Sequence, residues 1–138
     1  VGKLYIGARV ELNGVDVSDH CESVEVNQSK ERLSTKNMLS VGEEGIQGLA
    51  NDSFGVNLQQ DFAGGEVDAT LAPLYDAGGS FVVKVRPNPA AAISGTNPSY
   101  EGTVRLYEYP PISGAVGELA KTQITLPVDG KISRVTTP

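Results

Sequence analysis

The run Tyr100-Glu101-Gly102-Thr103-Val104-Arg105-Leu106-Tyr107-Glu108-Tyr109, then Pro110-Pro111-Ile112-Ser113-Gly114-Ala115-Val116-Gly117, then Thr122-Gln123-Ile124-Thr125-Leu126-Pro127-Val128-Asp129-Gly130 decides the fold class. Apolar and polar residues alternate in both outer segments, as a strand with one buried and one wet face requires. Pro110 and Pro111 stiffen the connection, and Gly114 and Gly117 permit turns that a side chain would hinder. The three segments predict a closing hairpin with an ordered loop.

Upstream the period of two persists. Leu4, Ile6, Ala8, Val10 and Leu12 alternate with Tyr5, Gly7, Arg9 and Glu11. Asn13-Gly14 marks a tight turn because both residues tolerate positive φ, and Val15 and Val17 resume the pattern, so a hairpin opens the chain. Ser18-Asp19-His20 predicts a bend or a single helical turn; His20, with no second His and no Cys or carboxylate pattern nearby, is expected in a surface or capping role. Further strands are expected at Val24 and Val26, at Phe54, Val56 and Leu58, and at Phe81, Val83 and Val85 with Val82, Lys84 and Arg86 opposite. Pro87-Asn88-Pro89 stops the last of these, and residues 87–98 read as a surface loop. One helix is expected over 65–76, with Val67, Leu71 and Leu74 on one face, shortened or kinked at Pro73 and ended by Gly78-Gly79.

Residues 29–50 fit neither period. Leu33, Met38, Leu39, Val41, Ile46 and Leu49 are scattered among Gly42, Gly45 and Gly48, which break any long helix. The segment is too long for a turn and too apolar for a linker, so it either covers its own core as an irregular hairpin or packs on a neighbour as an assembly loop. Each strand elsewhere buries one face, which requires two sheets. The expected architecture is therefore a single mainly β domain over 1–138, an antiparallel sandwich or flattened barrel of about eight strands with one short helix at its edge.

Composition narrows the function. The chain has 138 residues, 39% of them apolar, enough for one domain and one core. No run approaches the roughly 18–20 apolar residues of a membrane helix, and Val1-Gly2-Lys3-Leu4-Tyr5 lacks the features of a signal peptide, so assembly in a cytoplasm is expected. Eleven basic against seventeen acidic side chains give a formal charge of −6, which opposes nonspecific nucleic-acid binding. The single Cys21 forms no intrachain disulfide and has no zinc-spaced partners. There is no phosphate loop and no nucleophile elbow. Glu43-Glu44 reads as a solvated acidic pair, and Asp16-Val17-Ser18-Asp19 as Asx-type turn capping rather than an oxygen cage. No catalytic residue, cofactor or metal is expected.

The order of elements, with the phrases Asn57-Leu58-Gln59-Gln60-Asp61-Phe62 and Tyr109-Pro110-Pro111-Ile112-Ser113-Gly114, resembles the tail tube proteins of long-tailed bacteriophages over residues 10–134. The resemblance implies a structural virion protein that polymerises as stacked hexameric rings around a channel for DNA ejection. Its partners would be itself, other tail proteins at the tube ends, and passing DNA without specific binding. It would be assembled in the host cytoplasm and located in the phage tail. One sheet of each subunit would line the channel, a role that falls on residues 23–28 and 53–62, and a long loop at about 29–50 would reach the next ring. The ring-stacking candidates are Leu33, Met38, Leu39, Ile46 and Leu49.

Charge placement bears on the same reading. If Val24, Val26, Phe54, Val56 and Leu58 face the core, Glu25, Asn27, Asn57 and Gln59 face away, and no Lys or Arg accompanies them on those two strands. Such a wall would repel phosphates and let DNA pass, so these four are the channel-lining candidates. Lys84, Arg86 and Arg105 should then face outward or toward neighbouring subunits. The alternatives are another virion β protein, such as a capsid decoration or head-to-tail joining protein, and a ligand-binding β-sandwich.

Overall fold

The computed structural model describes residues 7–138. Among them ten strands and one helix follow in the order β1 Arg9–Leu12, β2 Val15–Asp16, β3 Cys21–Asn27, β4 Lys30–Ser34, β5 Gly45–Ala50, β6 Ser53–Gln59, α1 Val67–Ala77, β7 Phe81–Arg86, β8 Ser99–Val104, β9 Lys121–Pro127 and β10 Ser133–Val135. A five-stranded sheet runs β10-β8-β7-β1-β2, a three-stranded sheet β3-β6-β9, and β4-β5 stand apart as a two-stranded arm. All pairings are antiparallel. The mainly β sandwich with one helix matches the expectation from alternation, with ten strands where about eight are expected. Leu4 and Ile6 of the opening pattern lie outside the described residues.

The two larger sheets bury one face each into a shared core. Val10, Leu12, Phe81, Val83, Val85 and Val104 come from the first, and Phe54, Val56, Leu58, Ile124 and Leu126 from the second. Gly102 on β8 marks how close they come, since a Cβ there would lie 3.0 Å from the Phe54 ring and 3.2 Å from Val128. The opening hairpin turns on Asn13 and Gly14 at φ 54° and 80°, the positive values a type I′ turn needs. Val17 enters the core while Val15 on β2 stays exposed.

Two expectations are corrected and a third, the surface loop at 87–98, is refined. The segments at 100–109 and 122–130 do not form a hairpin: β8 pairs with β7 and β10, β9 pairs with β6, and the connection crosses from one sheet to the other. Strand pairing in β8 also stops at Val104, which makes an isolated bridge to Val128, although Leu106 keeps the alternation and is buried. The helix runs through Pro73 to Ala77 and ends at Gly78, φ 68°. Pro73 and Ala69, whose carbonyl the proline cannot serve, are both exposed, so the helix gives up that bond at its solvent side and not in the core. Finally, the 87–98 loop is organised by a buried residue: Asn97 Nδ2 donates to the carbonyls of Asn88, Ala91 and Ala92 at 3.0–3.2 Å, and its Oδ1 accepts from the Asn88 amide at 3.0 Å.

Candidate assembly and channel surfaces

The three-stranded sheet turns its second face to solvent. Because Phe54, Val56 and Leu58 point inward, Ser53, Gly55, Asn57 and Gln59 point out, and register places Ser23 and Gln123 beside Asn57, Glu25 and Thr125 beside Gly55, and Asn27 beside Ser53. Glu25, Asn27, Asn57 and Gln59 are thus brought together on one polar face. Strand β9 adds Gln123 and Thr125, and also Lys121, a cation that β3 and β6 alone do not reveal. Its charge is matched locally: a bulge after Cys21 places Glu22 where its carboxylate accepts from Gln59 Nε2 at 3.2 Å and pairs with Lys121 Nζ at 3.2 Å. The Gln59 amide, and after it the Lys121 side chain, hold the Glu22 carboxyl below its ordinary value. Both outer strands, β3 and β9, keep one edge unpaired among the described residues.

Residues 28–52 form the arm. Leu33 opposes Ile46 and Arg32 opposes Gln47 across β4-β5. At its tip the Leu39 amide donates to Asn37 Oδ1 at 2.9 Å, the Ser40 amide to the Asn37 carbonyl at 3.0 Å, and Lys36 pairs with Glu43 at 3.0 Å. The arm has local order and no core of its own. Met38 is 99% exposed, Leu39 90% and Leu49 85%, so the covering-hairpin alternative fails and the segment projects. Ile46 and Leu33 are exposed as well. A two-stranded hairpin is marginal in water without an apolar partner surface. Its base is fastened by Asp52, whose Oδ1 accepts from the Ser29 amide at 3.1 Å and whose Oδ2 accepts from the Ile132 amide at 2.8 Å.

Two polar clusters hold the far end of the sheet. His20 is not the isolated surface residue expected: its Nε2 lies 2.6 Å from Glu66 Oε2, with Asp19 and Asp61 carboxylates at 3.7 and 3.8 Å. The Glu66 hydrogen bond raises the imidazole pKa above its ordinary value, aided by the Asp19, Glu66 and Asp61 charges. Among the described residues Asp19, His20 and Glu66 set potential ligand atoms within 4.8 Å of one another. Tyr109 donates its hydroxyl proton to Asp68 at 2.7 Å and accepts from Gln60 Nε2 at 2.9 Å, pinning the crossing connection to α1. Burial, then the Asp68 bond, push the Tyr109 pKa up to about 12.

Other residues singled out by sequence fall as their chemistry requires. The Ser18 amide donates to Asp16 Oδ1 at 2.9 Å, an Asx-type turn. Cys21 is half-buried, and burial pushes its thiol pKa up, away from reactivity. Lys84 and Arg105 face outward and pair with Glu101 and Asp129 at 3.9 and 3.5 Å.

The chain is thus an antiparallel β-sandwich with one outward polar sheet and a projecting, coreless arm. Its fold is that of phage-type tail subunits. A chain from the virion of a native gene transfer agent particle superposes with a TM-score of 0.74 at 11% identity, over 97% of this chain and 99% of that one. A chain from the tail of an empty gene transfer agent particle, determined with C6 symmetry, gives 0.70 at 12% identity over 94% of each. The SPP1 tail tube gives 0.76 at 10% identity over 99% of this chain and 81% of that one. No family model and no curated protein matches the sequence.

Proposed function

We propose that this chain is a structural, non-enzymatic subunit of a phage tail tube, polymerising as stacked hexameric rings whose channel conducts DNA into the host. The observation that carries this reading is the superposition of essentially the whole chain on a chain of a virion and on subunits of two tails, one of them of C6 symmetry. The open edges of β3 and β9 support ring closure, because exposed edges pair with other chains unless blocked. In this reading the face bearing Glu25, Asn27, Asn57 and Gln59 lines the channel, and the arm, through Leu33, Met38, Leu39, Ile46 and Leu49, reaches the adjacent ring. Other tail proteins cap the tube ends, and the assembled protein resides in the virion after assembly in the host cytoplasm.

A wall of amides and carboxylates, its one lysine neutralised by Glu22, gives phosphates nothing to hold and lets DNA slide. Asn57→Lys with Gln59→Lys should therefore leave tube assembly intact but slow DNA ejection from particles carrying the variant, with the defect weakening as salt screens the added attraction. Ejection at the unmodified rate in low salt would remove the channel assignment.

A further inference from the structure

Two uncovered segments leave the sandwich at opposite ends of one sheet. The register of β3-β6-β9 sets Asn27, Ser53 and Pro127 at one end and Gln59 and Lys121 at the other. The arm departs from the first. The connection into β9 arrives at the second, where the Gln60 amide donates to the Ala120 carbonyl at 2.9 Å and the Lys121 amide to the Ser113 carbonyl at 3.4 Å. Seven strand residues, about 20 Å at ~3.3 Å per residue, lie between them, so neither segment covers the other within one copy.

Their chemistry is complementary. At the arm base a groove of about 590 Å³ is lined by Lys30, Arg32 and Lys131 together with Ile46. The acidic residues lining it are Glu31 and Asp52, and Asp52 already accepts from two amides. Among the described residues none of the three cations forms an ion pair. At the opposite end Ile112, Val116 and Leu119 are 86%, 106% and 56% exposed. Glu108 and Glu118, in the same loop, are exposed and likewise form no ion pair among the described residues.

We propose that the 108–119 loop is a stacking plug that seats in the arm-base groove of a second copy in the next ring, with Glu108 and Glu118 against Arg32 and Lys131 and the loop's apolar side chains against the arm. The inference rests on the tail-tube reading and names the surface that completes it. Different patches at opposite poles of one chain make a heterologous contact, which extends as an open assembly instead of closing on itself. It also gives the loop its order: Tyr109 and Gln60 fix its root before the plug engages, Gln60 Nε2 donating to the Pro111 carbonyl at 2.7 Å as well as to Tyr109.

Charge reversal tests this directly. Arg32→Glu with Lys131→Glu, and separately Glu108→Lys with Glu118→Lys, should leave a folded chain and intact rings but shorten tubes more than about tenfold in electron micrographs, because like charges across an interface oppose association. Combining all four substitutions in one chain should restore tubes. Tubes of unmodified length from either reversed pair, or no restoration by the combination, would overturn the proposal while leaving the tube reading standing. Failure of the unmodified chain to form rings or tubes would sink both. Should a reversed pair fail to fold, disulfide trapping decides: Gln47→Cys with Val116→Cys in a Cys21→Ser background should give a ladder of covalent multimers on oxidation, and monomer alone would overturn the plug.

Discussion

His20 joins the 18–20 turn to the 61–66 stretch, its partner Glu66 lying 46 positions away. Nothing local to Ser18-Asp19-His20 discloses this, because the carboxylates converge only when β6 and the start of α1 close over the turn. The pKa of His20 is raised on folding, so its contribution is full below the unfolded value of 6.5 and is lost as pH rises through the higher folded value. His20→Gln should therefore destabilise most in mildly acidic solution, by less than about 1 kcal/mol because the partner carboxylates are partly exposed, and least at alkaline pH. Denaturant titrations of both proteins across that range check the sign; a deficit that grows with pH would contradict it. Gly102 is a second residue whose role needs the fold: its φ is unremarkable, but a Cβ would press on Phe54 and Val128. Gly102→Ala should cost about 1–3 kcal/mol in chemical unfolding, the usual penalty of overpacking. By contrast, the Asn13-Gly14 turn and the inward Val10, Leu12, Phe54, Val56, Leu58, Phe81, Val83 and Val85 are legible directly, because alternation and positive φ are local properties.

At the scale of elements, sequence reading finds strands better than it finds their neighbours. Alternation around Thr122, Ile124 and Leu126 identifies β9, yet sequence adjacency suggests β8 as its partner when β6 holds that place. The loop length permits either, and only the long-range packing of Phe54 against Gly102 and of Ile124 beside Val56 selects between them. The helix is legible in its apolar face, while its passage through Pro73 is not, because a proline on the exposed side interrupts no buried bond. The arm is the most instructive case. Its lack of period leaves a covering hairpin and a projecting loop both open, and the exposure of Met38, Leu39 and Leu49 decides for projection; its order comes from the local tip turn, the β4-β5 ladder and the Asp52 clasp, the last of which joins residues remote in sequence. Replacing Leu39, Ile46 and Leu49 with Ser should leave the circular dichroism spectrum and the unfolding midpoint nearly unchanged, since none of the three is buried, and should abolish tube formation. A triple variant that polymerises normally would exclude the arm from assembly.

The molecule as a whole is polarised: a sandwich with a closed core, an open-edged polar sheet on one side, an apolar arm at one end and an apolar loop at the other. Each exposed feature is a liability in an isolated monomer, because open strand edges and uncovered apolar segments invite association. The proposed tube would resolve all of them in one arrangement, in which edges close into a ring and ends meet between rings. In that tube the formal charge of −6 would oppose adhesion of nucleic acid. Electron microscopy of the purified chain at rising concentration tests this account most directly. Six-fold rings that stack into hollow tubes, with the β3-β6-β9 face resolved on the inner wall, are the predicted result; a monomer that stays dispersed at every concentration, or an assembly with that face on its outer surface, would contradict it.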